Sequence, residues 1–423
     1  MKHAAIAAPL CAPALRSRSA RRRWECTVRL MWLAIAITMV ASLSARPLTT
    51  APASGAVDTP LDAAAGAIYN AEYPIAERMI RSFLKEHPDD LRAWNYLAEV
   101  VLDQEMLREG LYSGTAYLNS GTAFRQRVQA LSPRFTAELN DALDHAQQGE
   151  QRRLAHNPND QEALYWLGVT YSTRAEFAFA LERSYFTALR EGRKAWDANV
   201  RLRKLNPNCA DAGLVIGLAE YTAGVLPWYF KVVASIAGIH GSRSQGIAEL
   251  KRASAGGRYT RVDAKIVLVV IDERERQFAQ ARALVEELEK EYPLNYLAPL
   301  ELGRIDQSEG DGRGAAAVYD RAVTKFVRSD SRRPDVPRAL ILLRAGQAHE
   351  QLGDFAAALN LYREAGNLGA HSPETYRAEL AAAELDQRLN HLSTARREYQ
   401  AVIDAAPGSE MAQRARHALR ELH

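Results

Sequence analysis

The chain has 423 residues, 47% of them apolar and 25% charged, an ordinary globular composition that excludes global disorder and a collagen-like fibre. Its three cysteines exclude a disulfide scaffold and a zinc ribbon. Lys plus Arg total 54 and Asp plus Glu 51, but residues 1–45 hold seven of the bases and only one acid, so the remainder carries 47 bases against 50 acids. A body so close to neutral lacks the clustered cationic excess of a nucleic-acid footprint.

The first element is a leader, residues 1–45. A basic stretch ends at Arg29 and an uncharged apolar run follows at 30–43 (LMWLAIAITMVASL). Fourteen residues suit a secretory core and fall short of the roughly 20 needed to span a bilayer. Ala51-Pro52-Ala53 and Ser54-Gly55-Ala56 are the cleavage candidates. Cleavage predicts a periplasmic or otherwise extracytoplasmic protein. An uncleaved anchor at 30–44 would tie the chain to a membrane by its N-terminus, and an organellar transit peptide is a third reading of so Arg-rich a segment. No small-residue lipobox precedes Cys26. Without the leader only Cys209 remains, and it reads as a small buried hydrophobe.

Residues 46–60 are Pro/Thr/Ala-rich and read as a disordered linker. From Leu61 onward apolar residues recur at three and four, punctuated by Gly and Pro, which predicts helix throughout. The run IVLVVI at 266–271 could pass for a strand, but it sits within a longer helical period.

Self-similarity is the decisive signal. In LLRAGQAHEQLGDFAAALNLYREAG, Gly346 is small where two helices touch and Gly353-Asp354 make a turn. Phe355 packs back, Ala358 is small at the crossing, and Tyr362 and Ala365 complete the face. Gly303, Gly310, Ala315, Tyr319 and Ala322 fit the same grid. So do Ala383, Ala395, Tyr399 and Pro407; Val269, Phe278, Ala281 and Pro293; Tyr73, Ala76 and Pro88; Trp94, Leu97 and Ala98; and Leu164, Leu167, Gly168 and Tyr171. The prolines fall just past second helices, which they stop from continuing. The chain resembles the tetratricopeptide-repeat family over roughly residues 61–415. The resemblance implies an all-α, right-handed superhelical solenoid of helix-turn-helix units. The division expected is an irregular array with insertions at 61–260 and a regular array with a cap helix at 261–423. Two intervals are long: 64 residues from Trp94 to Pro158 and 43 from Leu164 to Pro207. The second excess reads as two extra turns on each of two helices, and the first as an extra helix or loop around LYSGTAYLNSGTAF.

Between Gly224 and Gly246 the grid fails (GVLPWYFKVVASIAGIHGSRSQG). The run 225–239 is too short to span a bilayer and reads as a core plug or as an interaction element displaying Trp228, Tyr229 and Phe230. This stretch is similar to a signature in some bacterial repeat proteins. It is similar too to the Gly-Asp-Arg…Gly-Leu segment of repeat proteins related to fungal inclusion-body clearance factors, with Ser242 here replacing the acid. Gly241 and Gly246 read as turn and close-packing glycines.

No phosphate loop, nucleophile elbow, H-E-x-x-H or C-x-x-C is present in the sequence, and the ten histidines are scattered. The expectation is therefore no enzyme, no catalytic residue, no metal and no cofactor. The carboxylates of 272–276 and 286–287 read as solvated helix faces. The function expected is a protein-interaction scaffold holding a protein or peptide partner, with no nucleic acid. Applied to a solenoid, the grid puts Asn95, Tyr165, Tyr221, Arg304, Gln347 and Arg388 toward the groove formed by the first helices. The alternative is docking on a membrane surface through 225–239 and an uncleaved anchor.

Overall fold

The computed structural model describes residues 59–109, 111, 130–225, 241–329, 333, 335–369 and 372–422. Among them there are seventeen α-helices and no strand. The helices are α1 (Pro60–Tyr69), α2 (Tyr73–Glu86), α3 (Leu91–Arg108), α4 (Pro133–His156), α5 (Gln161–Ala180), α6 (Tyr185–Leu205), α7 (Gly213–Val225), α8 (Arg243–Gly256) and α9 (Arg261–Arg274). Then come α10 (Phe278–Glu291), α11 (Leu297–Glu309), α12 (Gly312–Ala322), α13 (Arg338–Gln351), α14 (Phe355–Gly366), α15 (Pro373–Arg388), α16 (Leu392–Ala405) and α17 (Glu410–Glu421). A π-helical turn, Val323–Arg328, prolongs α12. Each helix packs on the next, and first helices also touch across pairs, as α3 does with α5 and α13 with α15. This is an all-α helical repeat fold.

The helix boundaries follow from local chemistry. Asp90, Asp160, Asp311 and Asp354 each accept a backbone N–H from the first turn of α3, α5, α12 and α14. Each such cap stabilises its helix by about 1 kcal/mol. The corner inside a pair requires one left-handed residue. Glycine supplies it at Gly310 (φ 85°) and Gly353 (φ 80°), whereas Ala71, Arg183, Arg276 and Asn390 adopt it with φ of 55–64°. That repeated corner defines the pairs α1–α2, α5–α6, α9–α10, α11–α12, α13–α14 and α15–α16.

The grid is interrupted in the middle of the chain, between Gly224 and Gly246, yet α7 and α8 on either side of that stretch pack on each other as a pair. A Cβ on Gly246 would run into the Gly217 and Tyr221 backbone, and one on Gly241 into Ala223 and Glu220. The two glycines are therefore close-packing residues, as their spacing suggests. Trp228, Tyr229 and Phe230 lie outside the described residues, as do nearly all of LYSGTAYLNSGTAF, the leader and most of the linker. The first long interval is taken up in part by helix length, since α3 has 18 residues and α4 has 24. The second fits its reading, with 20 residues in α5 and 21 in α6. IVLVVI lies within α9. Phe355 does not pack back as expected but is 38% exposed.

The array also touches itself across the sequence. The α1–α2 corner rests on the first turn of α9 and on the turns before α11 and α13. The Tyr69 hydroxyl donates to Asp263 (3.2 Å) and its ring meets Tyr292 with centroids 5.0 Å apart. Asn295 donates to the Tyr69 carbonyl (2.8 Å), and the Leu294 N–H donates to Asn70 Oδ1 (3.0 Å). Arg333 ties the two regions together. Its guanidinium donates to the carbonyls of Leu294 (2.8 Å) and Ala71 (3.1 Å) and pairs with Asp335 (2.7 Å).

Hydrogen bonds from a charged donor are worth about 1.5–3 kcal/mol each. Arg333→Ala is therefore expected to cost about 2 kcal/mol in denaturant unfolding and to speed amide exchange across 60–72. Arg333→Lys should restore little, because an ammonium lacks the planar fork. Unchanged exchange across 60–72 in Arg333→Ala would show that the contact holds nothing.

Candidate functional site

The regular pairs share one internal device. A small residue on the first helix (Gly303, Gly346 or Ala383) lies four residues before Gln307, Glu350 or Gln387. A tyrosine on the second helix (Tyr319, Tyr362 or Tyr399) serves both. Its ring covers the small residue, so that a Cβ on Gly303 or Gly346 would strike Tyr319 or Tyr362. Its hydroxyl donates to the polar residue, at 3.3 Å for Tyr319–Gln307, 2.5 Å for Tyr362–Glu350 and 2.6 Å for Tyr399–Gln387. Desolvation pushes each of these phenols up, that of Tyr399 to about 12.

This device presents Glu350 and Gln387 on the face of the first helices. There α13 and α15 enclose a recess of about 570 Å³, lined by Glu350, Ala381, Glu384, Gln387 and Arg388. Arg388 is exposed and reaches across to Glu350, while Arg414 of α17 pairs with Glu384 at 2.7 Å. Gln347 is half-buried one turn before Glu350 and accepts from Arg344 (3.3 Å). The recess offers carboxylates, an amide and a guanidinium, groups able to hold a polypeptide. Among the described residues no three His, Cys, Asp or Glu converge as a metal cage.

The other expected groove residues lie elsewhere. Asn95, Tyr165 and Tyr221 are on first helices but 1%, 5% and 0% exposed. The grid places residues on a helix, whereas burial depends on neighbours it does not contain. Tyr165 is stacked on Tyr259 (5.0 Å) and edge-on to Trp166 (4.9 Å). Tyr221 donates to Glu275 (2.8 Å), which also receives Arg243 (2.7 Å). Arg304 sits in a buried knot with Glu273 and Glu301.

That knot overturns the reading of residues 272–276 as a solvated face. Asp272 and Glu273 are buried at 5% and 6% exposure. Burial pushes the Glu273 carboxyl up, and the adjacent Glu301 charge adds to it. Glu301 is also desolvated, but Arg304 outweighs that and holds it below the ordinary carboxylate range. No local signal marks the pair, since the two acids are brought together only by the packing of α9 on α11.

Asn95 belongs to a second hidden network. It donates to Glu150 Oε1 (2.9 Å), and the Thr170 hydroxyl lies 2.8 Å from that oxygen and 2.9 Å from Asn95 Oδ1. One hydroxyl proton serves only one acceptor. Thr170 therefore donates to Glu150 or to Asn95 Oδ1, and Asn95 donates to Glu150 in either case. Glu150 is fully buried, and desolvation raises its carboxyl to about 7 against the partial opposition of Asn95 and Thr170.

Two predictions follow from this chemistry. A carboxyl whose folded pKa is about 7, against 4.5 unfolded, contributes stability that is complete at acid pH and lost as pH rises through 7. Glu150→Gln is therefore expected to flatten the alkaline decline and to exceed the parent by up to about 3 kcal/mol above that range. Equal pH slopes in urea unfolding of parent and variant would refute it. Gly346→Val should cost about 1–3 kcal/mol, because its side chain must displace the Tyr362 ring; calorimetry showing an unchanged melting temperature would contradict the close contact.

The comparisons with known proteins bear on the fold. The family model for the tetratricopeptide repeat matches residues 61–123, 272–331 and 300–373. No curated protein matches the chain. A crystal structure of PilW, a widely conserved type IV pilus biogenesis factor, aligns at 18% identity and TM-score 0.38, covering 56% of this chain and 90% of PilW. Yeast Tom70 aligns at 13% and 0.39, covering 86% and 89%. The human IFIT1 dimer with m7Gppp-AAAA aligns at 13% and 0.41, covering 93% and 86%. Likenesses at this level carry no argument about function.

Proposed function

We propose that this chain, a tetratricopeptide-repeat protein, is an interaction scaffold that holds a partner protein or peptide on the first-helix face of α13 and α15. The observation that carries the reading is the recess lined by Glu350, Glu384, Gln387 and Arg388. Glu350 and Gln387 are fixed from behind by the tyrosines of α14 and α16, so a partner meets these acceptors already in place and less is spent on ordering them. The first pair leans on the first turn of α9 and on the turns before α11 and α13, which supports α13–α16 as the section left for a partner. The leader at 1–45 supports a location outside the cytoplasm after cleavage, in the periplasm or its equivalent.

A second reading is docking on a membrane surface through 225–239, together with an uncleaved anchor at 30–44. The observation favouring it is the close approach of the two ends of the insertion. A Cβ on Gly224 would strike Ser242 and Arg243, so the residues flanking this stretch lie against each other. An apolar segment held by its two ends at a corner is placed to meet another surface. No described helix is long and apolar enough to cross a membrane.

The two readings separate in a pull-down from an envelope extract. Glu350→Ala/Arg388→Ala is expected to weaken capture of a discrete partner by about tenfold or more, as loss of a paired charge at an interface does. Trp228→Ala/Phe230→Ala should leave that capture intact. The reverse pattern would move the site to the inserted segment, and liposome binding lost only in the second variant would favour membrane docking. All variants are checked for unchanged helicity and melting.

A further inference from the structure

Hairpins stacked side by side put their corners along one edge of an array, and insertions at those corners fall on one face. Three consecutive corners depart from the rest of this chain. Those of α3–α4 and α7–α8 carry inserted residues. Between them stands the corner of α5–α6, whose helices are about two turns longer than the 12–14 residues of α13 and α14.

Its surface is unusual. Phe186, in the first turn of α6, is 90% exposed, the most exposed large apolar side chain among the described residues, and Leu189 follows at 49%. At 100° per residue, Arg190, Arg193, Lys194, Arg201 and Lys204 fall on the same outward face of α6. All five are exposed. Arg193 lies over the Trp196 ring, 4.7 Å from its centroid. Two acids oppose these bases. Buried Glu191 holds Arg190 and Lys194 (both 3.0 Å), and Asp197 pairs with Arg193 (3.0 Å). The face keeps an excess of three positive charges along a helix about 30 Å long. The body as a whole carries a slight acidic excess, so this charge is local.

We propose that the outer face of α6 docks on a membrane surface bearing anionic headgroups, with Phe186 and Leu189 entering the acyl boundary and Arg190, Arg193, Lys194, Arg201 and Lys204 facing the phosphates. Exposed apolar side chains beside a row of bases combine the two terms that hold a protein to an anionic membrane surface, apolar burial and attraction to the headgroups. Apolar tips distinguish this surface from a polyanion groove, which would pair the bases with phosphates along their length. The docking is separate from partner binding by α13 and α15 and would bring that face to a lipid surface.

The test places 4-fluorophenylalanine at position 186 of the full chain. Its fluorine signal is followed with vesicles carrying a gadolinium-chelate lipid. The vesicles are either pure phosphatidylcholine or contain about one-third phosphatidylglycerol. The expected result is strong broadening on the anionic vesicles and none on the neutral ones. Arg190→Ala/Arg193→Ala/Lys204→Ala should weaken the effect about fivefold per charge removed. Phe186→Ser, read by sedimentation, should lower anionic-vesicle binding without altering the melting temperature. A sharp fluorine signal while the chain sediments with the vesicles would overturn the proposal, since attachment would then run through another segment. So would a chain that stays in the supernatant, equal broadening on both vesicle types, or a single-stranded oligonucleotide that perturbs the signal more strongly than the vesicles do.

Discussion

A two-helix hairpin has more apolar surface than it can cover by folding on itself. Everything else in this molecule follows from that constraint. Each pair needs a neighbour, the neighbours stack, and the first helices align along one face. The crossing inside a pair must be tight for the stack to close. Here it is set by a glycine or alanine under a tyrosine ring, as at Gly346 and Tyr362. The same ring delivers a hydroxyl to Glu350, so one side chain packs the core and orients a surface group. The recess between α13 and α15 is thus a product of the packing that makes the array.

Stacking alone would leave an open coil. Contacts of the α1–α2 corner with the first turn of α9 and the turns before α11 and α13 make it a molecule that meets itself. They use backbone carbonyls at a corner, the groups a helix end leaves unsatisfied, and a guanidinium with enough donors to take several at once. The core reflects this continuity, since one apolar cluster runs from Leu61 through Trp166 and Tyr296 to Leu385.

The buried carboxyls follow a different logic. Glu150 and Glu273 are both buried, and desolvation pushes both carboxyls up, Glu150 against the hydrogen bonds of Asn95 and Thr170 and Glu273 against its pairing with Arg304. Such networks fix how neighbouring pairs sit on one another, because every member must be satisfied for the buried set to be tolerable.

The sequence by itself determined the all-α repeat fold, the phase of most pairs and the glycines at close crossings. Those features rest on residues near one another in the chain, at offsets that a helical period and a turn impose. Gln347 and Arg388, which the grid put toward the groove, lie on α13 and α15. Only the tertiary structure decided that Asn95, Tyr165 and Tyr221 are interior, that Glu273 and Glu301 share Arg304, that α7 and α8 pack as a pair, and that Arg333 reaches Ala71. The partners in these contacts come from different helices or from pairs far apart in the chain, up to 262 residues for Arg333 and Ala71. A local pattern carries no record of which neighbour will cover it. Burial and charge pairing are properties of the stack, and they exist only once the stack has formed.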